Sequence, residues 1–315
     1  MPTQANQPLS DGYQLNGYRI SSVLSCGGFS IVYLACDESD LPVAIKEYLP
    51  SQLVLRREGD ALPSIPGEKI GFFRYGMRCF FEEGRSLARL SHPNVVRVLN
   101  FFRANETASL VMRYERGRTL QDQIRARRGS IGENFIRHVF AQLLNGLREV
   151  HTNRLLHLDI KPANIYVRND GTPLLIDFGA ARQTLTDGGF RLNPMYTPGF
   201  APPEQYRRRD LLGPWSDIYA IGASMFACLA GRAPQPADQR AEKDCYVPAA
   251  RTLSGKYSRH LLETIDWCLE LDHLKRPQSV FALQKVLLRE KDPVVHRRGT
   301  LFGGMRESLL RFAGR

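Results

Sequence analysis

Apolar and polar positions alternate in ways that predict a strand-rich first part of the chain. Tyr18–Leu24 and Ile31–Ala35 are rich in β-branched, aromatic and aliphatic residues, and they flank a turn that contains two glycines. This pattern predicts two paired strands joined by a glycine-rich turn. Ser109–Met112 has the same character and predicts a later strand. Residues 47–67 carry several prolines and glycines and predict a loop, with a short hairpin around Arg57–Asp60.

Beyond these strands the apolar positions follow the spacing of helices. Phe80–Leu90 has this spacing, and so does a longer segment that predicts a core helix. Ile218–Ala230 is nearly uncharged but too short to span a bilayer, so it predicts a buried helix. The apolar positions of the long segment are Phe135, Ile136, Val139, Phe140, Leu143, Leu144, Leu147 and Val150.

Composition supports a globular chain with a sizeable core. The sequence has 315 residues, 43% of them hydrophobic, which is enough for a two-lobed unit. Its formal net charge of +11 would suit an anionic partner, but the basic clusters lack the interleaved aromatic residues of a nucleic-acid motif. We therefore expect no nucleic-acid partner. Met1–Asp11 lacks the layout of a secretion signal, which favours a cytoplasmic protein.

Two short stretches carry the chemistry of phosphoryl transfer from a nucleotide. In residues 155–164, Asp159 is followed by Lys161 and then Asn164, and in residues 174–179 Asp177 follows an apolar run. One carboxylate can accept a hydroxyl proton, and the lysine can neutralise the moving phosphoryl group. The asparagine and the second aspartate can hold magnesium against the phosphates.

These residues resemble the eukaryotic-like protein kinases, in their bacterial serine/threonine branch. His157-Leu158-Asp159 with Asn164 matches the family's His-Arg-Asp-(x)4-Asn, Asp177-Phe178-Gly179 matches Asp-Phe-Gly, and Val43–Lys46 matches V-A-I-K. The resemblance implies an α+β, bilobal protein kinase fold, with a small β-rich lobe that contains a regulatory helix and a larger helical lobe. It also implies transfer of the ATP γ-phosphoryl group to protein Ser or Thr hydroxyls, with protein substrates as partners.

The same resemblance assigns roles to the candidate catalytic residues. Asp159 would orient and deprotonate the acceptor hydroxyl, and Lys161 would stabilise the transferring phosphoryl group. Asn164 and Asp177 would hold Mg²⁺, with Mn²⁺ as the alternative metal. Lys46 would position the phosphates and would itself be fixed by Glu83. Glu82 is the alternative partner for Lys46.

The resemblance implies that ATP lies under the glycine-rich turn and against the hinge, residues 113–117. The family pattern G-x-G-x-x-G-x-V aligns at Ser25, Gly27, Ser30 and Val32, so serine replaces two of three glycines and Gly28 adds another. This predicts a working but stiffer phosphate cover. The expected nucleotide-binding residues are Leu24, Ser25, Gly27, Gly28, Ser30, Val32, Ala44, Lys46, Met112, Tyr114, Asn164 and Asp177.

Three positions in the second half complete the resemblance, which covers about residues 18–288. In relatives, residues at the positions of Glu204 and Arg276 form a buried pair, and the residue at Asp217 anchors the catalytic loop. Leu158 replaces the arginine that clamps a phosphorylated activation loop in many relatives. We therefore expect activity that does not depend strongly on phosphorylation at Thr184 or Thr186.

The predicted organisation is an N-terminal extension (1–17), a small lobe (18–113), a large lobe (114–288) and a basic tail (289–315). Apolar residues recur at helical spacing in the tail, so it could lie on a membrane surface or dock on the kinase or a partner protein. Two other functions stay open at this stage: a pseudokinase scaffold, or a small-molecule phosphotransferase of related fold. The serines in the phosphate turn are the only feature that favours the scaffold.

Overall fold

A computed structural model of the chain describes residues 5–127, 131–178 and 196–289. Thr184, Thr186 and nearly all of the tail predicted at 289–315 lie outside these described residues. In the ranges that are described, no helix has both the length and the apolar character needed to cross a membrane.

The first part of the chain forms a six-stranded antiparallel sheet, with the strand order β1-β2-β3-β4-β6-β5. The strands predicted around the glycine-rich turn are β2 and β3, and the predicted Ser109–Met112 lies within β6. The strands are β1 (Gln14–Leu15), β2 (Tyr18–Cys26), β3 (Ser30–Cys36), β4 (Pro42–Tyr48), β5 (Val98–Ala104) and β6 (Thr107–Arg113).

Helix α1, Ile70–Leu87, packs against one face of this sheet. A Cβ at Gly84 would overlap a methyl group of Leu110, so glycine lets the helix approach the sheet without displacing that side chain. The sequence predicted a helix over Phe80–Leu90; the observed helix starts ten residues earlier and ends at Leu87. Its buried positions keep a spacing of three and four residues from the start, at Phe73, Gly76, Phe80, Gly84 and Leu87.

The predicted loop between β4 and α1 is a packed part of the small lobe. We call residues 49–66 the insert. The predicted hairpin is present, because Leu55 and Ser64 exchange backbone hydrogen bonds of 3.0 and 2.8 Å. Leu49, Leu53 and Val54 are buried in the core of the small lobe. The insert is therefore held by an apolar core as well as by its turn.

A buried ion pair attaches the insert to the sheet. Side chains alternate between the two faces of a strand, so Glu47 lies on the face opposite that of Lys46 and α1. There Arg56 binds Glu47 with two hydrogen bonds of 2.7 and 2.8 Å, and both side chains are fully buried. Tyr33 and Thr107 also donate hydrogen bonds to Glu47. Four polar side chains thus satisfy one another in an otherwise apolar layer.

The N-terminal residues pack against this layer. Leu9 is buried in the same core, and the backbone N–H of Gln7 donates to the Arg56 carbonyl. Strand β1 pairs with β2. Residues 5–17, predicted as an N-terminal extension, therefore pack against the six-stranded sheet.

The second part of the chain is mainly helical and has its own apolar core. The predicted helix at Ile218–Ala230 is α5, of which all but the ends are buried. A small three-stranded sheet is formed by β7 (Gly117–Thr119), β8 (Ile165–Arg168) and β9 (Pro173–Leu175). The loop that contains Asp159 leads into β8, and Asp177 follows β9. The described helices are α2 (Leu120–Ala126), α3 (Glu133–Thr152), α4 (Pro203–Arg207), α5 (Pro214–Ala230), α6 (Ala237–Glu242), α7 (Ala249–Thr252), α8 (Arg259–Cys268) and α9 (Val280–Leu287).

Candidate active site

Asp217, near the start of α5, anchors the loop that carries Asp159, as the sequence predicted. Its carboxylate is fully buried and accepts the backbone N–H groups of His157 at 2.9 Å and Leu158 at 2.8 Å. A third hydrogen bond joins it to His151 Nε2 at 2.8 Å. Burial alone would raise the pKa of Asp217, but the hydrogen bonds from His151 and the backbone outweigh it and lower this pKa. The aspartate therefore stays ionised while buried.

The contacts of His157 fix its protonation state. Its Nε2 lies 3.1 Å from the Ile176 carbonyl, which can only accept, so Nε2 carries the hydrogen. Its Nδ1 accepts the backbone N–H of Asp159 at 3.3 Å. Burial lowers the pKa of His157 below its usual value. A neutral histidine thus connects the catalytic loop to the residues just before Asp177.

The carboxylate of Asp159 lies at the centre of the predicted catalytic residues. Lys161 Nζ lies 3.1 and 3.0 Å from its two oxygens, and Asn164 Nδ2 donates to Oδ2 at 2.9 Å. The hydroxyl of Thr197 donates to Oδ1 at 2.9 Å and accepts from Lys161 at 2.9 Å. Sequence reasoning gave Thr197 no role at the site. Its place at the start of the Thr-Pro-Gly segment was the available signal, but nothing in the sequence shows that this segment returns to Asp159.

Lys46 contacts Asp177 in this structure. The distance from Lys46 Nζ to Asp177 Oδ1 is 2.8 Å, and the lysine side chain is only 4% exposed. Asp177 has a φ of 61°, a left-handed conformation that aspartate tolerates better than most residues. The Asp177 carbonyl lies 3.5 Å from Asn164 Nδ2, so the two predicted metal ligands are neighbours.

The predicted pairing of Lys46 with Glu83 is not the one observed. Among the described residues, Lys46 forms its ion pair with Asp177 and none with Glu83. A buried ammonium needs a counter-charge, and the carboxylate of Asp177 supplies it here. Glu83 is half-buried on α1 and has interactions of its own. Glu82, the alternative, is exposed and lies 3.6 Å from Arg85.

The sheet brings several predicted nucleotide-binding residues onto one face; we call Val32, Ala44 and Met112 the predicted adenine-side residues. Residues directly opposite each other in antiparallel strands point to the same side. Val32 is opposite Lys46, and Ala44 is opposite Met112. Since Ala44 and Lys46 are two residues apart on β4, all four share the face that carries α1. Tyr114 follows β6 directly and is half-buried.

The predicted phosphate cover lies at the end of the same sheet. Ser25, Gly27 and Gly28 are exposed, whereas Ser30 is buried. Leu24 is 43% exposed and lies at a register shift between β2 and β3. The Gly27 N–H donates to the Ser30 carbonyl at 2.9 Å and closes the turn.

Helix α4 is fixed by a buried ion pair, as the sequence predicted. Arg276 binds Glu204 with two hydrogen bonds of 2.7 and 3.0 Å, and Ser216 donates a third at 2.8 Å. Gln205 Nε2 donates to the Leu158 carbonyl at 2.8 Å. Helix α4 is thereby attached to both α5 and the catalytic loop. Such a pair mainly fixes geometry, because the cost of desolvation offsets much of its Coulomb energy.

The donor set suits a divalent metal. The Nδ2 of Asn164 donates to the backbone carbonyl and the carboxylate of Asp159, at 2.8 and 2.9 Å, so Oδ1 is the end of the amide that can bind a metal. The Asp177 carboxylate is 29% exposed. Amide and carboxylate oxygens are the ligands that Mg²⁺ prefers. The residues present therefore fit the metal.

Comparison with known families and proteins gives one consistent result. The family described as "Protein kinase domain" matches residues 18–288. Serine/threonine-protein kinase C of Synechocystis sp. is 32% identical over 286 residues, covering 86% of this chain and 49% of that protein. Serine/threonine-protein kinase B of the same organism is 27% identical over 298 residues, covering 89% and 49%. The chain thus spans about half the length of these curated relatives.

Solved structures agree with this result. The structure titled "PpkA-294 apo form" is 35% identical, has a TM-score of 0.81, and covers 89% of this chain and 99% of its own. The kinase domain of Mycobacterium tuberculosis PknI is 21% identical with a TM-score of 0.65, covering 89% and 98%. At that identity the second likeness concerns the fold alone.

Proposed function

Because the chain belongs to the protein kinase family, we propose that it transfers the γ-phosphoryl group of ATP to serine or threonine hydroxyls of proteins. The observation that carries the proposal is the set of contacts around Asp159, which brings Lys161, Asn164 and Thr197 within hydrogen-bond distance of one carboxylate. Two similar curated proteins are named serine/threonine-protein kinases. The Asp159 contacts support the same reaction here.

In the proposed reaction, Asp159 accepts the proton of the attacking hydroxyl. The hydroxyl oxygen forms a bond to the γ-phosphorus as the bond between that phosphorus and the leaving ADP oxygen breaks. Lys161 lies beside the Asp159 carboxylate and can neutralise charge on the transferring group. The buried surroundings strengthen such charge interactions relative to water.

Membership of the family implies the use of ATP and a divalent metal. We assign Mg²⁺ to Asn164 and Asp177, whose oxygens suit it, and Mn²⁺ has the same oxygen preference. The metal would neutralise phosphate charge. Asn164 is oriented for this role because its amide nitrogen is already held by Asp159.

Lys46 would bind the α- and β-phosphates in the loaded enzyme. Its present partner Asp177 would then turn to the metal, and we propose that Glu83 supplies the counter-charge that Lys46 needs at that stage. Glu83 is suited to this role because its neighbour Gly84 packs against Leu110, which is opposite Lys46 in the sheet. The predicted adenine-side residues share the face that carries Lys46.

The proposal of protein substrates is supported by the anchoring of α4. The Glu204–Arg276 pair and the hydrogen bond from Gln205 to Leu158 hold this helix beside the catalytic loop, where an extended acceptor segment would have to lie. A small-molecule phosphotransferase has no need of this attachment. The intact set of Lys46, Asp159, Asn164 and Asp177 likewise gives a pseudokinase no support.

The test is incubation of the purified chain with magnesium and γ-labelled ATP, with casein and myelin basic protein as general acceptors. We expect label on serine or threonine by phosphoamino-acid analysis, and none with Lys46→Met. If the chain stays unlabelled and labels neither acceptor, although calorimetry shows that it binds nucleotide, the proposal is wrong and a scaffold role replaces it.

A further inference from the structure

The β2–β3 turn, residues 26–29, is attached to the insert by three hydrogen bonds. The Leu49 N–H donates to the Phe29 carbonyl at 3.0 Å. The Ser51 N–H donates to the Gly28 carbonyl at 2.9 Å, and the Ser51 hydroxyl donates to the same carbonyl at 3.1 Å. Gly28 itself is exposed. The insert thus holds the Gly28 carbonyl of a turn that would otherwise project into solvent.

The buried side chain of Phe29 also anchors this turn to the core of the small lobe. Its side chain is 4% exposed and meets the ring of Tyr48 edge-on, with centroids 5.2 Å apart. It also lies 6.5 Å from the ring of Phe80 on α1. Lys46 Nζ lies 5.7 Å from the centroid of that same Phe80 ring. The turn, the lysine and α1 therefore share one aromatic cluster.

The insert can hold the turn because it crosses the end of the sheet. Tyr48 lies on the face of α1, whereas Arg56 lies on the opposite face with Glu47. The chain between them must pass the edge where β2 and β3 are joined, and Ser51 lies on that passage. Tyr48 and Arg56 are both anchored in the small lobe, so the chain between them holds Ser51 in place. The backbone N–H and the hydroxyl of Ser51 can therefore restrain the Gly28 carbonyl.

A restrained turn has a direct use for nucleotide phosphates. Successive glycines can rotate their peptide groups freely, and a phosphate cover works only when backbone N–H groups face the ligand. The Gly28 N–H donates to no acceptor within the described residues. Holding the Gly28 carbonyl limits rotation of this turn before ATP arrives, so less conformational entropy is lost on binding.

We propose that Ser51 is a positioning residue for the phosphates of ATP. It acts through the Gly28 carbonyl and does not contact the nucleotide. This inference rests on the proposed function, since it assumes that ATP binds beneath the turn. It assigns a role to the insert, which the resemblance to other kinases left open.

The test compares the affinities of MgAMP-PNP and adenosine by calorimetry in Ser51→Ala and the wild type. We expect MgAMP-PNP to bind up to about fivefold more weakly, because binding must then order a turn that the Ser51 hydroxyl no longer restrains, at a cost of up to about 1 kcal/mol, the net value of one hydrogen bond. Adenosine lacks phosphates, so its affinity should not change. Ser51→Thr keeps the hydroxyl and should restore MgAMP-PNP binding. Ser91→Ala, at an exposed serine between α1 and β5, is the matched control.

Each other outcome has a distinct meaning. Unchanged MgAMP-PNP affinity in Ser51→Ala would overturn the role of Ser51 and leave the proposed function intact. Equal weakening of both ligands would also overturn it, because the serine would then only support the fold of the lobe. A wild type that binds neither ligand would remove the proposed function along with this inference.

Discussion

At the catalytic loop, single polar side chains decide where the reacting groups lie. The sequence predicted that Asp159, Lys161, Asn164 and Asp177 belong to one site, because their types and spacing match one chemistry, and the structure brings them close together. Thr197 could not, since its hydroxyl reaches Asp159 only through the path of the loop ahead of α4. The sequence also could not show which carboxylate pairs with Lys46. Both Glu83 and Asp177 are suitable carboxylates, and only coordinates show that Asp177 is the one in contact.

The proposed role of Glu83 predicts a difference between two adjacent glutamates. Glu83→Gln should lower the rate of phosphoryl transfer by about 10²-fold, because misplacing Lys46 disturbs the positions of the phosphates. Glu82→Gln should leave the rate nearly unchanged, since Glu82 is exposed and lies beside Arg85. The measurement is the initial rate of acceptor labelling at saturating ATP. Equal rates for the two variants would show that Glu83 does not position Lys46.

The buried, neutral His157 predicts loss of stability in mild acid. An unfolded histidine binds a proton near about pH 6.5, whereas burial lowers the pKa of folded His157. Between these pKa values the unfolded chain holds the extra proton, so this contribution to stability falls as pH falls, by up to about 1.4 kcal/mol per pH unit. Protonation of Nδ1 would also break its bond from the Asp159 N–H.

The free energy of unfolding in urea checks this contribution when it is measured at about pH 7.5 and about pH 5.5, on either side of the ordinary histidine pKa. The stability lost between the two should be smaller in His157→Phe than in the wild type. His138→Gln, which alters an exposed histidine on α3, should keep the wild-type loss. Equal losses in His157→Phe and the wild type would show that His157 is not the group that titrates.

Among the structural elements, the insert differs most from its prediction. Its prolines and glycines correctly predicted a hairpin, but its buried leucines and Arg56 make it part of the core. The sequence could not reveal this, because an arginine in a polar segment normally lies in solvent. The start of α1 was missed for a related reason: glycines at 71 and 76 weaken the helical signal, while tight packing makes Gly76 a buried position.

The Glu47–Arg56 pair predicts a large effect when one partner is removed. Arg56→Met should lower the free energy of unfolding by about 3–5 kcal/mol, because it leaves a buried carboxylate without its cation. Replacing both partners, as Arg56→Met with Glu47→Leu, should recover much of this loss. Arg19→Met removes an exposed pair with Asp40 and should cost about 1 kcal/mol or less. A loss in Arg56→Met as small as that in Arg19→Met would contradict the structural role of the pair.

At the scale of the whole molecule, the two-part architecture could be predicted because the periodicity changes from strands to helices near the hinge. We propose that the boundary between the two lobes lies between residues 113 and 114. The attachment between the two parts was not predictable: Asn94 donates to the Pro173 carbonyl at 2.7 Å, and Val96 donates to the Leu175 carbonyl at 2.9 Å. These contacts fix the linker after α1 to the strand that leads to Asp177.

Asp159→Asn shows whether Asp159 is the group that accepts the hydroxyl proton. The measurement pairs the rate of acceptor labelling from γ-labelled ATP with MgAMP-PNP affinity in the same preparation. We expect a rate lower by about 10²–10⁴-fold, the usual contribution of a positioned base, with affinity close to that of the wild type. Labelling of the acceptor at the wild-type rate would contradict this role of Asp159, because the transfer would then be carried out elsewhere.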